Sequence, residues 1–504
     1  MLAGLARNTA LSALAFGING LIALALVPVL VASYGIAAFG LVVLSRTLLP
    51  TGALGALDFG MAETATQSVG RARGSGDWSR ASQEIGFLLA LAAAIGLLAA
   101  GTLAAAAPRV ADLFHVDAAH RESFAAILVA TAAALVVFFP GLVAEGVVKG
   151  FERFGVLRGV EVLATLLYAG ASVAAVLAGL SYAAVAYAFL GAIAARYLVL
   201  GTVAAAAMRA VGMRPALWGR QAREEMTRRS LLMFHGKVLG ALQMPVPPLV
   251  IGALVGPAGV GIYEVVTRLP RFLKSTLSLL ASAVLPVAAR LEGRGASDRL
   301  GRLAEKSFWL VPYATFPVLF AAGGLARPIL SVWVGPELAA YWPWLAVMLV
   351  FPVLNICLTF SQSMLQVRAD YIAASNRIST LGIVVQYAVS FALVKPLGSM
   401  SFVLGIALAS AAVFPFQLRL IARALELDPA PLWSALLPQA AVALAAAALG
   451  LAASFAISAI SLPALAAIFG ALLVACWAAA YGLFLGDNAR ALLGRLASSL
   501  LRGA

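Results

Sequence analysis

Charged residues are scarce in this sequence, and their scarcity indicates the class of protein. Asp, Glu, Lys and Arg make up 11% of the 504 residues, whereas hydrophobic residues make up 63%. The mean hydropathy is +0.99. Most segments therefore lack the polar face that a helix on the surface of a water-soluble protein needs. The composition predicts an all-α integral membrane protein.

Cysteine, histidine and long polar loops are also scarce. The two cysteines, Cys357 and Cys476, both fall within apolar segments, so the sequence supports neither a disulfide framework nor a metal cluster. His115 and His120 share a short loop without the spacing of metal ligands, and His235 stands alone. No loop is long enough to form a soluble catalytic domain. We therefore expect no metal, no cofactor and no clustered acid–base active site.

Basic residues exceed acidic ones, with a net charge of +14. Nucleic-acid binding is not indicated, because Lys and Arg occur in short clusters between apolar runs. The clusters fall in alternate loops, at residues 71–80, 149–158, 209–229 and 290–306. By the positive-inside rule these loops are cytoplasmic, as are both termini of a multi-pass chain.

Apolar runs of about 20 residues predict about fourteen transmembrane helices. They are expected near residues 9–32, 36–57, 82–106, 123–147, 158–179, 182–207, 231–255, 259–285, 307–326, 341–365, 378–395, 400–421, 435–457 and 463–485. The first run is too long for the core of a signal peptide, so we expect it to remain as a span.

The chain also contains an internal repeat. Gly35 and Gly40 correspond to Gly256 and Gly261 at an offset of 221 residues, and GSGD at 74–77 corresponds to GASD at the same offset. Each copy holds six spans, so the copies have the same orientation and a pseudo-two-fold axis along the membrane normal. The predicted domains are a six-helix lobe at 1–215, a second at 216–430, and two additional helices with a short cytoplasmic tail at 431–504. Two such lobes predict a transporter with a central cleft.

The predicted eighth span carries charges that lipid would reject: Glu264, Arg268, Arg271 and Lys274. At 100° per residue the first three share a face with Thr267, Ser275, Ser278 and Ser282, while leucines lie opposite and Lys274 lies at the edge. An Arg exposed to lipid at the bilayer centre costs at least about 2.5–3.5 kcal/mol. This stripe predicts a positively charged cavity. Alternatively, the cations extend to the cytoplasmic surface or are neutralised by other spans.

Further cations fall inside predicted spans. Arg46 lies about 15 Å into the second span, near the midplane, and no acid lies within one helical turn of it. Lys237 lies about two turns inside the seventh span, where extension to the surface is an alternative. Arg196 is ambiguous, and we do not expect it to be a primary ligand. Glu145 and Lys149, four residues apart, are interpreted as an interfacial pair.

The predicted seventh span also contains MPVPP at 244–248. Proline lacks a backbone donor and disrupts a helix, so this span is expected to bend near the middle of the membrane. A broken helix beside a cationic cleft would suit a gate, and a static, packed kink is the alternative.

A series of motifs spans residues 1–425. It comprises NTALSALAFGINGLIALALVPVLVASYG in the first span, LDFGM after the second, GPAGVGIY at the start of the eighth and LPVAARL at its end. Their order and spacing resemble the polysaccharide-flippase branch of the multidrug/oligosaccharidyl-lipid/polysaccharide exporter superfamily. That branch is similar in having two six-helix lobes, and some members add two C-terminal helices.

The resemblance implies a flippase rather than an enzyme. It would move polyprenyl-diphosphate-linked oligosaccharide, an O-antigen or exopolysaccharide repeat unit, from the cytoplasmic to the periplasmic leaflet of a bacterial inner membrane. Its partners would be membrane lipids, glycosyltransferases and a polysaccharide polymerase. The implied substrate-binding residues are Arg46, Lys237, Arg268, Arg271 and Lys274, with Glu264 and Arg196 as cavity or coupling candidates. Coupling to sodium or protons stays open.

Two other functions remain as alternatives. A multidrug or cation antiporter of the same superfamily needs intramembrane carboxylates, and the first span has none, while the seventh has Lys237. A membrane polysaccharide polymerase or glycosyltransferase needs a sizeable extramembrane loop or a clustered acid–base set, and the sequence shows neither.

Overall fold

The structure is a computed structural model that describes residues 2–50, 52–216, 236–282, 297–365, 368–456 and 461–483. The helices are α1 (Leu2–Thr47), α2 (Met61–Ser75), α3 (Trp78–Leu113), α4 (Ala118–Gly150), α5 (Phe154–Leu177), α6 (Tyr182–Ala210), α7 (Gly236–Gln243), α8 (Pro247–Leu254), α9 (Pro257–Ser282), α10 (Ser297–Gly324), α11 (Ala326–Val334), α12 (Trp342–Met348), α13 (Val350–Leu365), α14 (Ala369–Leu397), α15 (Met400–Ala424), α16 (Pro429–Ala456) and α17 (Leu462–Leu483). Two short 3-10 helices span Ala53–Asp58 and Leu338–Tyr341. The described chain has no strand, which confirms the predicted all-α class.

Among the described residues, eleven helices are long and apolar enough to cross a membrane, or twelve if the bent pair α7–α8 is one span. α1 contains both the first and the second predicted spans, because Gly35 interrupts it with φ 78° and ψ 167°. α9 is the predicted eighth span. It is not among the eleven helices because its four charged side chains make it less apolar than they are. With α7–α8 counted as one span, these two adjustments raise the number among the described residues from twelve to fourteen, consistent with the sequence prediction.

The second predicted span ends earlier than expected. We predicted it to reach residue 57, but α1 ends at Thr47, and the chain turns before the 3-10 helix Ala53–Asp58. Pro50 explains this end, because proline cannot donate a backbone hydrogen bond and disfavours helix in the residue before it. α2 follows where the sequence predicted a loop. Met61, Ala65, Val69 and Ala72 form its buried face.

The bend predicted from the proline motif is confirmed. α7 and α8 meet at 45° across residues 244–246, and α8 begins with Pro247 and Pro248. The start of the predicted seventh span and His235 lie outside the described residues, as do the basic residues at 220–229 and 290–294 and Gly295.

The internal repeat is visible as a reciprocal contact between α1 and α9. A Cβ added at Gly40 would lie 1.9 Å from the Pro257 carbonyl oxygen, and one added at Gly261 would lie 2.3 Å from the Ile36 carbonyl oxygen. Ile36 and Pro257 are separated by the same offset of 221 residues as the two glycines. Each helix therefore approaches its repeat copy through an equivalent pair of positions, as a pseudo-two-fold axis requires.

This close approach makes a stability prediction. We expect Gly40→Ala to lower the melting temperature and the yield of folded protein, because overpacking costs about 1–3 kcal/mol where backbone atoms must shift. Gly101→Ala in α3 is the control, because nothing lies within 4 Å of its added Cβ. Thermal unfolding of both detergent-purified variants tests this. Equal melting temperatures would contradict the contact.

The chain divides into two compact units. The first comprises Met1–Val265 with Phe391–Phe402, and the second comprises Val266–Ser390 with Val403–Ala504. In the first unit α4 packs against α2, α3 and α6. In the second unit α10 packs against α13 and against α16 and α17, the two additional helices. The Trp477 indole of α17 donates a hydrogen bond of 2.9 Å to the Tyr313 carbonyl of α10. The domain boundaries at residues 215 and 430 stay a prediction.

Candidate functional site

Arg46 is a cation held by aromatic rings in the first unit. Its guanidinium carbon lies 4.2 Å from the ring centroid of Phe189 on α6 and 5.4 Å from that of Tyr168 on α5. The two rings meet edge to face, with centroids 5.1 Å apart. Within the described residues Arg46 forms no ion pair. Cation–π contacts stabilise a guanidinium without neutralising it, so Arg46 keeps its net charge.

The local sequence explains why Arg46 is the group presented here. Its neighbours Ser45 and Thr47 are buried, and their hydroxyls donate to the carbonyls of Val42 and Val43 in the same helix, each at 2.8 Å. Arg46 itself lies in the last turn of α1, where the negative end of the helix dipole favours a cation. Neither the flanking hydroxyls, which bond within the helix, nor the helix dipole supplies a carboxylate that neutralises the guanidinium.

Lys237 is held quite differently. Its ammonium on α7 donates to Asp58 Oδ2 at 2.7 Å and to Glu63 Oε2 at 2.8 Å. The Asp58 side chain is 10% exposed and that of Lys237 is 25% exposed, so this bridge is mostly buried. Asp58 Oδ1 also accepts from the backbone N–H of Gly60 at 2.6 Å. Lys237 is thus more than neutralised by two carboxylates.

Asp58 and Glu63 are residues that the sequence analysis did not single out. The local signal was present, because Asp58 lies in the LDFGM motif and Glu63 lies in the first turn of α2. Their partner is 179 and 174 residues away, respectively, which no local pattern indicates. α2 lies outside the candidate spans. Burial raises the pKa of Glu63, but the hydrogen bond and charge of Lys237 outweigh this effect and lower the pKa overall.

Arg196 belongs to a second ion-pair network in the first unit. Its guanidinium on α6 lies 2.9 Å from Glu145 Oε2 on α4, and Lys149 lies 2.8 Å from Glu145 Oε1. The predicted pairing of Glu145 with Lys149 is confirmed. Arg196 has 17% side-chain exposure and Glu145 has 13%, so this cation is both largely buried and paired.

The charged stripe of α9 contains both buried and half-buried members. Glu264 is 9% exposed and Thr267 is fully buried, whereas Arg268, Arg271 and Lys274 are half-buried. The Arg271 Nε–H donates to the Thr267 carbonyl at 3.2 Å. The predicted stripe continues to Ser282, whose side chain lies outside the described residues.

Lys274, predicted as the member at the edge of the stripe, resembles Arg46 in its surroundings. Its ammonium lies 4.9 Å from the ring centroid of Phe351 on α13, within the second unit. No carboxylate of the described chain pairs with it. Among the described residues, the cations backed by an aromatic ring and not neutralised by a described acid are therefore Arg46 in the first unit and Lys274 and Arg327 in the second, where Arg327 lies 5.0 Å from the ring centroid of Phe455.

The predicted binding residues differ in whether a carboxylate compensates their positive charge. Lys237 and Arg196 are compensated by carboxylates and add little net potential, whereas no described carboxylate offsets the charge of Arg46 or Lys274. An aromatic-backed cation can recognise an anion by charge-assisted hydrogen bonds. Across the part of the chain that the structure describes, no three His, Cys, Asp or Glu side chains could share a metal ion.

The fold of this chain is similar to that of proteins with solved structures. An inward-facing multidrug resistance MATE family transporter of the MOP superfamily is 16% identical, with a TM-score of 0.61 over 82% of this chain and 95% of that chain. The lipid II flippase MurJ, in an inward closed conformation, is 9% identical, with a TM-score of 0.62 over 88% of this chain and 95% of that chain. No curated protein matches the sequence.

The chain is therefore a multi-pass membrane protein with the fold shared by these exporters and flippases. Residues 76–343 match the model of the family described as polysaccharide biosynthesis protein. This match covers more than half of the chain, and the chain belongs to that family. The resemblance predicted from the sequence motifs is confirmed.

Proposed function

We propose that this protein is a flippase for polyprenyl-diphosphate-linked oligosaccharide, an O-antigen or exopolysaccharide repeat unit. It moves this lipid by alternating access from the cytoplasmic to the periplasmic leaflet of a bacterial inner membrane, with both termini cytoplasmic. The observation that carries the proposal is Arg46, which is held between Tyr168 and Phe189 and is not neutralised by any described acid. Membership of a polysaccharide biosynthesis family supports the choice of substrate.

A diphosphate is a group that either cation, considered by itself, suits. Arg46 offers planar, bidentate hydrogen bonds to phosphate oxygens, whereas Lys274 offers a point charge. Arg268 and Arg271 stay proposed ligands of the diphosphate or of acidic sugars. Their half-buried side chains are compatible with a hydrated site. The polyprenyl tail stays in lipid throughout, because a long apolar chain gains nothing by entering a charged site.

Lys237 and Arg196 receive structural roles in this proposal. Each is a largely buried cation held by carboxylates, and removing one partner of such a pair leaves the other charge buried and unpaired. Glu264 stays a candidate for the cavity or for ion coupling.

The antiporter alternative needs a carboxylate that is available to a cation. Asp58 is a buried carboxylate of the kind such a mechanism uses, but Lys237 and the Gly60 N–H already occupy its oxygens. This arrangement favours a structural role for Asp58, which leaves Glu264 as the carboxylate that an antiporter would need, and the polysaccharide biosynthesis family favours the flippase.

Reconstitution separates these two functions. In proteoliposomes containing a fluorescent polyprenyl-diphosphate sugar, the protein should move the lipid to the opposite leaflet, and empty liposomes should not. The same protein, when overproduced in cells, should leave their sensitivity to cationic drugs unchanged. Drug resistance that collapses with the ion gradient, without any movement of the sugar lipid, would contradict the proposal.

A further inference from the structure

The Tyr168 side chain has a feature that the contact with Arg46 does not explain. The residue is 7% exposed, and its hydroxyl oxygen is buried without a hydrogen-bond partner in the described chain. The ring that carries this hydroxyl is the one over which the Arg46 guanidinium lies, at 5.4 Å. The Tyr168 side chain therefore has the Arg46 guanidinium over its ring and carries a hydroxyl that donates no hydrogen bond.

Buried hydroxyls in native proteins are nearly always hydrogen-bonded, so an unpaired one needs an explanation. The neighbouring Ser172 hydroxyl donates to the Tyr168 backbone carbonyl at 2.7 Å and forms no hydrogen bond with the Tyr168 hydroxyl. Arg46 cannot act as an acceptor for that hydroxyl, because a guanidinium only donates. A tyrosine hydroxyl and a guanidinium placed together, both able to donate, match a ligand that is rich in acceptor oxygens and carries negative charge.

We propose that the Arg46 guanidinium and the Tyr168 hydroxyl together bind one anionic group, the diphosphate of the transported lipid, with Phe189 as a positioning residue. This inference rests on the proposed function for the identity of the lipid, but the anion site itself does not depend on it. Arg46 supplies the charge. Tyr168 supplies one directed O–H donor for an acceptor oxygen of the diphosphate.

Phe189 acts through Arg46. Its ring faces the guanidinium at 4.2 Å and contacts the Tyr168 ring edge to face. An aromatic ring at this position restrains the guanidinium while leaving its charge uncompensated. A carboxylate there would hold Arg46 equally well but would compete with the diphosphate for the same N–H groups.

The test uses the full-length protein in detergent and inorganic pyrophosphate as the probe, measured by isothermal titration calorimetry. Tyr168→Phe keeps the ring and removes the hydroxyl, and it should weaken pyrophosphate binding about tenfold, the effect of one hydrogen bond to a charged group. Tyr187→Phe is the matched control, because Tyr187 is 43% exposed on α6, and its affinity should equal that of the wild type.

Two further measurements separate ligand binding from a merely structural effect. Tyr168→Phe should keep the wild-type melting temperature or raise it, since it removes a buried unpaired hydroxyl. In an Arg46→Gln background, Tyr168→Phe should have no additional effect on pyrophosphate affinity, because the shared anion is already lost. Phe189→Leu should weaken pyrophosphate binding. Phe189→Tyr keeps the aromatic face and should therefore keep most of the wild-type affinity.

The outcomes distinguish this inference from the proposed function. If wild-type protein does not bind pyrophosphate, or if Tyr168→Phe binds it as tightly as wild type, the anion site is wrong even where sugar-lipid translocation is observed. If pyrophosphate binds and Tyr168→Phe weakens it, but no sugar lipid is translocated, the site stands and the flippase proposal fails. If translocation occurs, Tyr168→Phe should raise KM about tenfold with little change in kcat.

Discussion

Arg46→Gln is expected to reduce the kcat/KM of sugar-lipid translocation by about 10- to 100-fold, the effect of losing charge-assisted hydrogen bonds to a phosphate. The abundance of the protein should stay near normal, because no described carboxylate pairs with Arg46 and none is left unpaired. Arg46→Lys should retain intermediate activity, because it keeps the charge but loses bidentate geometry. Translocation in proteoliposomes, normalised to folded protein, measures the effect.

A surface arginine provides the control for this experiment. Arg121 is paired with Asp112, and both side chains are about half exposed, at 52% and 53%. Exposed ion pairs contribute about 0–1 kcal/mol, so Arg121→Gln should have normal activity and stability. Full activity of Arg46→Gln at normal abundance would overturn the role of Arg46. A defect that disappears after normalisation would show that Arg46 serves the fold.

Lys237→Met is expected to act in the opposite way, mainly on stability. Removing the ammonium leaves the buried carboxylate of Asp58 without its cation, and breaking a buried ion pair costs about 3–5 kcal/mol. The melting temperature in detergent should therefore fall strongly. The double variant Lys237→Met with Asp58→Asn should recover much of this loss, because the remaining buried groups are then neutral.

Glu63→Gln is the matched control for the Lys237 bridge. Glu63 is 52% exposed, so solvent screens its part of the bridge, and the loss should be about 1 kcal/mol or less. If Lys237→Met is as stable as wild type and fails in translocation, Lys237 binds substrate, as the sequence predicted. If the double variant is no more stable than Lys237→Met, the bridge with Asp58 does not hold α7.

The sequence predicted the features that depend on residues close together in the chain, namely the spans, the repeat and the bend. Apolar runs long enough to span a bilayer identify helices because lipid accepts few other structures. The glycines at the constant offset were recognised as a repeat, and one of their two pairs, Gly40 and Gly261, lies where α1 and α9 approach each other. The proline motif predicted the bend between α7 and α8. The amphipathic helix α2 was missed because its charged face makes it too polar to resemble a span.

The sequence by itself determined that this is a polytopic α-helical membrane protein, internally repeated, with cations inside its spans. Only the tertiary structure decided which of those cations is compensated by a carboxylate. Lys237 and Arg46 both lie inside predicted spans, but Lys237 meets Asp58 from 179 residues away, whereas Arg46 meets Tyr168 and Phe189 from two other helices. The reason is physical. Helical periodicity and hydropathy act over one turn or one span, whereas the charge available to a ligand depends on partners that only folding brings within a few ångströms.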